Sequence, residues 1–565
     1  MQTILDALPG GAAQDREVFC HFIQAGGKTI ISRGDLRRGA ERYANLFRQN
    51  GVAPGEVVLI ILRHSPDLLY SFLGAMLAGA IPSFLPYPTS KQDPRLYWSS
   101  HQKLFERIGA GALLTYHENL GPLRENTTYL PLHLLTSEQA ENIPAGFAPH
   151  AATPGETALL QHSSGTTGLK KGVALSHQAV LRQVVSYAQV LKITPDDCIV
   201  SWLPLYHDMG LIACFLLPLI TNIPVVMVDP FEWVVNPTML FDAVQAHRGT
   251  LCWLPNFAFH HLCRTVRPSP NLDLSSVRAW IDCSEPCRAE TFELFARTFA
   301  RAGVKPEKLQ VCYAMAETVF AVTQTPPGRP PRVLTIDPDK LRLQGRVAVV
   351  PSEAPHQSAL STGPAIPGLQ IRIANDRGEP LPDGSVGEIL IAGDCLFSGY
   401  FKLEEETRRK LQDGWYRSGD LGFLHQGELF VTGRMNDLII VHGRNYYAHE
   451  LEYLVNQVPG TYPGRNVATG WFRPEIGSEE VVIIAEIKPE SGVDCTQLAQ
   501  DIKQRLLDQT GLLVFDVYLA NPGWLVKTTS GKISRVENLN KYQAALGACP
   551  VENSDPDFTG GRRGS

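Results

Sequence analysis

The chain has 565 residues, of which 44% are hydrophobic and 19% charged, and its formal net charge is −6. This composition predicts a globular protein with a large core and roughly two to four domains. The charges form no basic block, which disfavours nucleic acids and anionic membranes as partners. Pro218, Asn222 and Pro224 interrupt the longest apolar region, and no signal peptide is evident, so we expect no membrane span. The eleven cysteines contain no CxxC pair, which indicates reduced thiols in a cytoplasmic protein.

Helical and extended patterns alternate through most of the chain. Residues 34–51 carry apolar side chains at helical spacing and end at a glycine, and residues 56–62 are a short apolar run typical of a buried strand. Residues 65–85 repeat the order of helix and then strand. The alternation predicts an α/β fold, with mainly parallel sheets flanked by helices in a large N-terminal domain.

The pattern changes after Arg434. Residues 437–443, 481–487 and 512–520 are separate short strands, whereas residues 448–457 and 496–509 have helical spacing. We therefore predict a large domain at 1–432, a small mobile α+β domain at 433–545 and an unfolded polar tail at 546–565.

The stretch HSSGTTGLKKG, at residues 162–172, has the composition of a phosphate-binding loop. Its glycines allow sharp turns that present backbone N–H groups, and its hydroxyl groups and lysine add donors and charge. It lacks the GxxxxGK[ST] spacing of a Walker A loop, and a flexible surface turn is the alternative. The predicted phosphate-binding residues are Ser163, Ser164, Gly165, Thr166, Thr167, Gly168 and Lys171.

Four further segments follow this loop in the chain: YAMAETV (313–319), YRSGDLG (416–422), GRMNDLIIVHGRN (433–445) and KTTSGKISR (527–535). In this order, the five motifs resemble those of the adenylate-forming enzymes, a superfamily of acyl-CoA synthetases, luciferases and nonribosomal peptide adenylation domains. The resemblance covers essentially the whole chain. It implies that the loop holds the phosphates of ATP while a carboxylate attacks the α-phosphorus and expels pyrophosphate.

The resemblance also assigns roles to individual residues. Glu317 would bind Mg²⁺, Asp420 would accept hydrogen bonds from the ribose hydroxyls, and Arg434 would reinforce the ribose site. Lys532 would neutralise both the attacking carboxylate and the α-phosphate, which suits a reaction that depends on positioning and charge neutralisation. Tyr313 would stack on adenine. Ser284 and Glu285 would lie on the other side of that ring, and the remaining predicted nucleotide-binding residues are Ala314, Met315 and Ala316.

The segment WIDCSEPCRAETFELFARTFA (280–300) is similar to the fatty acyl-AMP ligase branch of the superfamily, and two further features also resemble that branch. One is the segment HDMGL (207–211), in which His207 would line the acyl pocket with a catalytic role, beside Asp208, Met209 and Gly210. The other is a long connection after Glu317, which resembles an insertion at about 324–360. In that branch the insertion disfavours free coenzyme A, and the acyl group goes to the phosphopantetheine thiol of an acyl carrier protein.

The acyl pocket is less well specified by the sequence. Residues 229–263 are rich in aromatic and aliphatic side chains, which suits an alkyl chain, although such side chains are also common in cores. Trp233, Asn256 and Phe257 are the predicted pocket residues. The motifs also depart from the family pattern, with Lys170 and Val526 at positions where proline is usual and Asn436 at the hinge position, where aspartate or lysine is common.

Three other readings remain open. An acyl-CoA synthetase would use free coenzyme A in place of the carrier thiol. An amino-acid adenylation domain would use an acidic group such as Asp208 to recognise the substrate amine. A nucleotide-binding protein without catalytic activity is the third, although Lys532, Glu317 and Asp420 are all present.

Overall fold

The structure of the protein, a computed structural model, describes residues 1–8, 14–24, 26–89, 94–127, 132–163, 171–354, 356–488, 492, 494–527 and 533–548. The chain divides into two compact units, Met1–Asn436 and Asp437–Ser565. The division lies four residues beyond the predicted domain boundary at 432.

The first part of the large unit alternates strands and helices as the sequence predicts. Helix α1 begins after Ser32, whose side chain accepts a hydrogen bond from the Asp35 backbone N–H in a capping box. Strands β3 to β6 form a parallel sheet in the order β4-β3-β5-β6. The elements are β1 (Val18–Gln24), β2 (Gly27–Ser32), α1 (Arg33–Gln49), β3 (Val57–Ile60), α2 (Asp67–Leu77), β4 (Ile81–Phe84), α3 (Pro94–Ile108), β5 (Ala112–Thr115), α4 (His117–Thr127) and β6 (His133–Thr136).

The next part completes the main sheet. Within the described residues its strand order is β14-β13-β12-β11-β9-β10-β1-β2, and every pairing from β13 to β1 is parallel. A π-helical turn at Met209–Leu216 precedes α6. The elements are β7 (Thr157–Ser163), β8 (Lys171–Ser176), α5 (His177–Leu191), β9 (Ile199–Ser201), α6 (Leu217–Thr221), β10 (Val225–Val228), α7 (Pro230–Val235), α8 (Thr238–His247), β11 (Leu251–Leu254), α9 (Asn256–Thr265), β12 (Ala279–Cys283), α10 (Ala289–Thr298), β13 (Leu309–Ala314) and β14 (Ala321–Gln324).

The last part of the large unit is mainly antiparallel. The predicted insertion forms the pair β15 and β16 with α11 between them, and it shares a hydrophobic cluster with Phe423 and Phe430 of the following sheet. The elements are β15 (Val333–Ile336), α11 (Pro338–Gln344), β16 (Gln357–Leu360), β17 (Leu369–Ala374), β18 (Gly387–Gly393), β19 (Gly399–Tyr400), α12 (Glu404–Lys410), β20 (Leu411–Gln412), β21 (Trp415–His425) and β22 (Glu428–Arg434).

The small unit is α+β, as predicted, with a sheet in the order β25-β26-β27. Its last helix continues to Ala548, so the predicted tail boundary at 545 is too early by three residues, and residues 549–565 lie outside the described part. The elements are β23 (Leu438–Val441), β24 (Arg444–Tyr447), α13 (Ala448–Val455), β25 (Thr461–Arg473), β26 (Ser478–Ile487), α14 (Cys495–Thr510), β27 (Asp516–Ala520) and α15 (Arg535–Ala548).

Two further sequence expectations bear on the described residues. The ten cysteines in this part of the chain are free thiols, and seven of them are buried. No helix among the described residues is long and apolar enough to cross a membrane. The apolar region at 210–228 instead forms all but the first residue of the π-helical turn, then α6 and the buried strand β10.

Candidate active site

The phosphate-loop motif lies on the antiparallel hairpin of β7 and β8. Ser163 pairs with Lys171 in this hairpin, and on the other side of β8 the strand β19 pairs Tyr400 with Val173. The hairpin therefore places Lys171 near the strand that carries Tyr400. The predicted residues of the turn itself lie outside the described residues: Ser164, Gly165, Thr166, Thr167 and Gly168.

The side chain of Lys171 contacts a carboxylate and an aromatic ring. Its ammonium forms an ion pair with Glu406 and lies 4.9 Å from the centroid of the Tyr400 ring. The Arg409 guanidinium also binds this carboxylate, with Nη2 at 2.7 Å from Oε1 and 2.8 Å from Oε2. Hydrogen bonds from Arg409 and then Lys171 lower the pKa of Glu406 to about 2. The carboxylate therefore keeps its charge at neutral pH.

Glu317 is buried on a 3-10 turn directly after β13. The Tyr400 hydroxyl donates a hydrogen bond to Glu317 Oε1 at 2.8 Å and lies 3.4 Å from the Tyr416 hydroxyl. Burial, and then the Glu317 charge, raise the pKa of Tyr400, so the hydroxyl stays protonated and remains a donor. Tyr400 thus contacts Lys171 with its ring and Glu317 with its hydroxyl. We call Lys171, Tyr400, Glu317 and Glu406 the phosphate corner.

The donor set of the phosphate corner fits a magnesium ion that arrives with a nucleotide. Among the described residues, no group of three or more His, Cys, Asp or Glu side chains is arranged to hold a metal ion. Mg²⁺ is commonly held by one or two carboxylates together with substrate phosphates. Glu317, joined through Tyr400 to Lys171 of the predicted phosphate-binding motif, meets that requirement.

Asp420 lies on β21 opposite Arg434 of β22. The Tyr313 hydroxyl donates to Asp420 Oδ2 at 2.6 Å, and Arg434 Nε lies 3.2 Å from Oδ1. Burial, and then the Asp420 charge, raise the pKa of Tyr313, which keeps its hydroxyl a donor. Tyr313 therefore has a contact that its predicted role in adenine stacking did not include. We call Tyr313, Asp420 and Arg434 the ribose corner.

Strained backbone follows two adjacent strands of the main sheet. Ser284, after β12, has a φ of +74°, and Val319, after β13, has a φ of +67°. Such angles are unfavourable for residues with a Cβ and concentrate at functional sites. Of the predicted residues, Ala314 ends β13, and Met315 and Ala316 lie between β13 and Val319, in a tight turn closed by a hydrogen bond from the Met315 N–H to the Phe320 carbonyl.

The predicted acyl-pocket residues lie next to one another. Trp233 is fully buried and stacks on Trp202 at 3.7 Å between ring centroids, whereas Phe257 is 47% exposed and contacts both rings edge-on. The Phe257 N–H donates to Glu285 Oε2 at 2.9 Å, which joins α9 to the loop after β12. The Asn256 Oδ1 atom is buried and accepts no hydrogen bond from the described residues. Phe257 is thus the accessible ring of this cluster, and Trp233 packs behind it.

The HDMG segment follows β9. The Asp208 carboxylate accepts a hydrogen bond from the Met209 N–H at 2.8 Å and so caps the π-helical turn. A Cβ at Gly210 would lie 2.2 Å from the Pro204 carbonyl oxygen, so this position requires glycine. His207 is half-buried at the start of the segment.

These segments meet at one edge of the main sheet. Strands β9, β11, β12 and β13 run parallel, in the order β13-β12-β11-β9. Because the carboxyl ends of parallel strands lie at the same edge, the residues that follow them are brought together, and ligands commonly bind at such an edge. The residues at or after these strand ends are His207, Asn256, Phe257, Ser284, Glu285, Ala314, Met315, Ala316 and Glu317.

Lys532, the predicted catalytic lysine, lies outside the described residues, but the segments on both sides of its loop are described. Lys527 and Ile533 form an antiparallel bridge. The buried Asn538 side chain accepts a hydrogen bond from Val526 N at 2.8 Å and donates to Ser534 O at 2.6 Å. Asn436, the predicted hinge residue, is the last residue of the first unit.

Sequence reasoning missed the residues that support the predicted ones. Tyr400 lies in none of the motifs, and Tyr416 begins the YRSGDLG motif, in which only Asp420 is given a role. Glu406 and Arg409 belong to the run EEETRR at 404–409, which reads as an exposed charged helix. The contacts of Glu406 with Lys171 and of Tyr400 with Glu317 join parts of the chain 235 and 83 residues apart and leave no local pattern.

The architecture is that of an α/β protein with a candidate site at the carboxyl ends of its parallel strands, and comparisons with known proteins identify its family. Residues 11–401 match the AMP-binding enzyme family, and the chain belongs to that family. It is 31% identical to the long-chain-fatty-acid–AMP ligase FadD32 of Mycolicibacterium smegmatis, over 90% of this chain and 89% of that protein. It is 29% identical to the medium-chain-fatty-acid–[acyl-carrier-protein] ligase JamA of Moorena producens, over 91% and 90% of the two chains.

A solved structure from a study of fatty acyl-adenylate ligases of E. coli and L. pneumophila has the same fold. It matches with a TM-score of 0.90 at 28% identity, over 97% of this chain and 99% of that chain. The resemblance to fatty acyl-AMP ligases that the motifs predict is confirmed by these comparisons.

Proposed function

We propose that the protein activates a fatty acid, or a related carboxylic acid, with ATP to form an acyl-adenylate and pyrophosphate. It then transfers the acyl group to the phosphopantetheine thiol of an acyl carrier protein. The observation that carries the first step is the pair of corners in the large unit. One presents an oriented carboxylate suited to a ribose, and the other presents a lysine and a buried glutamate suited to phosphates and their magnesium ion.

In the first step, a substrate carboxylate oxygen attacks the α-phosphorus of ATP, and the bond to the pyrophosphate oxygen breaks. Asp420 would hold the ribose hydroxyls, since a carboxylate can accept from two vicinal donors. Lys171 would bind a phosphate oxygen together with the loop N–H groups. Glu317 would hold Mg²⁺, which supplies neutralisation of the phosphate charge. Lys532 would offset the charge that gathers between the carboxylate and the α-phosphate.

The edge of the main sheet at the carboxyl ends of β9, β11, β12 and β13 would also bind the carboxylic acid. Phe257, with its exposed ring against the buried Trp233, would contact the acyl chain, since apolar lining suits an alkyl group. His207 would lie near the carboxylate that reacts. Asn436 would act as the hinge at which the small domain moves between the two half-reactions.

Transfer to a carrier protein is the second step of the proposal. The thiolate attacks the acyl carbonyl, and AMP leaves with the bridging oxygen. Similarity to JamA, whose name states acyl-carrier-protein ligase activity, supports this acceptor. So does the insertion at 324–360, whose strands and helix pack on β21 and β22 of the large unit.

Mass spectrometry of the products tests the acceptor. The protein is incubated with ATP, Mg²⁺ and a panel of carboxylic acids, with coenzyme A, with a phosphopantetheinylated carrier protein or with the same carrier lacking its arm. We expect acyl-AMP to accumulate with coenzyme A and the acyl group to move only to the carrier that has the arm. Rapid formation of acyl-CoA would contradict the proposed acceptor and leave the adenylation step.

We predict that Lys532→Ala slows acyl-AMP formation by about two orders of magnitude or more, because one preorganised charge at a transition state contributes on that scale. ATP binding should persist. Pyrophosphate exchange measures the rate, and Lys541→Ala is the control, since Lys541 lies on α15 and donates to the Trp524 carbonyl. A near-wild-type exchange rate in Lys532→Ala would rule out the assigned role.

A further inference from the structure

Helix α12 brings a second carboxylate, Glu406, to the phosphate corner. The Tyr400 N–H donates to Thr407 Oγ1 at 2.8 Å, and this hydroxyl donates to the Leu403 carbonyl at 2.9 Å. Thr407 therefore ties the first turn of α12 to β19. Glu406, the residue before Thr407, is placed by the same contacts against the lysine of the phosphate-loop motif.

Glu406 has a supporting cation of its own. Arg409, one turn further along α12, binds both of its carboxylate oxygens. Two hydrogen bonds from a guanidinium fix the plane of a carboxylate more firmly than a single contact does. Only about one fifth of each side chain of the Lys171–Glu406 pair is exposed, so solvent screens this pair less than a surface pair.

Ordering a lysine has a conformational cost. A free lysine side chain populates many rotamers, and a ligand must offset the loss of that freedom when it immobilises the ammonium. In this structure the Lys171 ammonium is already held between the Glu406 carboxylate and the Tyr400 ring. An ammonium has three donors, so one contact to Glu406 leaves others for phosphate oxygens.

We propose that Glu406 is a positioning residue that preorganises Lys171 for the phosphates of ATP. The proposal rests on the proposed role of Lys171 in ATP binding. Glu406 acts through the lysine and does not touch the nucleotide, and Arg409 in turn holds Glu406. The effect is on nucleotide affinity and not on the chemical step, since the ordering is complete once ATP is bound.

The test compares matched neighbours on the same short helix. Glu406→Gln removes the charge at nearly constant shape, and Glu405→Gln does the same at the adjacent exposed position. We expect Glu406→Gln to weaken MgATP binding about fivefold, within the range that such ion pairs contribute, and Glu405→Gln to leave it unchanged. Isothermal titration calorimetry without carboxylic acid gives the dissociation constants. Arg409→Ala should weaken binding by a smaller factor, with the exposed Arg408→Ala as its control.

Two further measurements separate positioning from a general structural effect. Glu406→Gln should raise the KM for ATP about fivefold with kcat nearly unchanged. In a Lys171→Ala background the same change should have no further effect on MgATP binding, because its route to the nucleotide is gone. Since Glu406 keeps its charge well below neutral pH, the ratio of wild-type to Glu406→Gln affinities should also be constant from pH 6 to 9.

Equal or tighter MgATP binding by Glu406→Gln would overturn the proposal, as would an undiminished effect in the Lys171→Ala background. The calorimetry is independent of turnover. If the wild-type protein forms no acyl-AMP but its MgATP binding depends on Glu406, the proposed function fails and the positioning role holds. If adenylation occurs and Glu406→Gln changes neither affinity nor KM, the positioning role fails alone. No MgATP binding by the wild-type protein would overturn both.

Discussion

The ribose corner and the phosphate corner are both built around a carboxylate that accepts a hydrogen bond from a tyrosine, yet they use it differently. In the ribose corner Asp420 is itself the proposed ligand-binding group, and Tyr313 and Arg434 orient it directly. In the phosphate corner Lys171 is proposed to bind phosphate and Glu317 to hold Mg²⁺, while Glu406 pairs with Lys171 and Tyr400 contacts both Lys171 and Glu317. One corner therefore depends on a single side chain, whereas the other distributes its function over several.

This difference predicts how each corner responds to substitution. Replacing Asp420 in the ribose corner would remove both of its proposed hydrogen bonds to the ribose at once. Losing a supporting group of the phosphate corner leaves the others in place, and Tyr400 keeps its ring against Lys171 even without its hydroxyl. Substitutions should therefore have graded effects, largest at Asp420 and smallest at the tyrosine that orients it.

The largest effect is expected for Asp420→Ala. Hydrogen bonds to a charged group contribute about 1.5–3 kcal/mol each, so losing two should lower kcat/KM for ATP by about 100-fold or more. Steady-state pyrophosphate exchange at varied ATP measures this, with the exposed Asp383→Ala as the control. A loss below about fivefold would place the ribose elsewhere.

A smaller effect is expected for Tyr400→Phe. The variant keeps the ring beside Lys171 but leaves Glu317 Oε1 without its tyrosine donor, so we expect an approximately tenfold fall in the adenylation rate. The Mg²⁺ concentration that gives half the maximal rate should rise as well. Tyr416→Phe is the matched control, because Tyr416 is a buried tyrosine whose hydroxyl lies 3.4 Å from that of Tyr400. An equal loss in both variants would show that the cluster, and not the donor to Glu317, sets the rate.

The smallest effect is expected for Tyr313→Phe. The ring that is proposed to stack on adenine is retained, and Arg434 still contacts Asp420, so one orienting hydrogen bond is lost. We expect the KM for ATP to rise about threefold to fivefold with kcat unchanged. A loss as large as that of Asp420→Ala would mean that the tyrosine hydroxyl, and not the carboxylate alone, defines the ribose corner.

The sequence predicts all three residues of the ribose corner, although not their contacts. In the phosphate corner it predicts Lys171 and Glu317 but misses Tyr400 and Glu406. Asp420 stands between glycines in a short motif, and Glu317 stands in another, so local pattern and family resemblance identify both. Their partners are distant in the chain, since Tyr313 is 107 residues from Asp420 and Tyr400 is 83 residues from Glu317. Glu406 lies among like-charged neighbours whose pattern is that of a solvated helix. Only the fold shows which of these carboxylates meets Lys171.

The fold is likewise predictable only where the sequence has a local pattern. Strands and helices with clear periodicity, such as α1, β3 and β26, are predicted correctly. Strand β25 was missed because it contains Pro463 and Gly464, and because its pairing shifts register between Thr461 and Asn466, which breaks the alternation of buried and exposed residues. The antiparallel sheet that carries Asp420 was likewise not separated from the parallel sheets, since strand direction is a tertiary property.

The fate of the carboxylate oxygens tests the central claim most directly. A fatty acid labelled with ¹⁸O in both carboxylate oxygens is incubated with the protein, ATP, Mg²⁺ and the phosphopantetheinylated carrier, and the nucleotide product is analysed by mass spectrometry. Attack on the α-phosphorus, followed by transfer to the thiol, predicts AMP with one ¹⁸O atom and unlabelled pyrophosphate. ADP with labelled phosphate, or AMP without the label, would contradict the account.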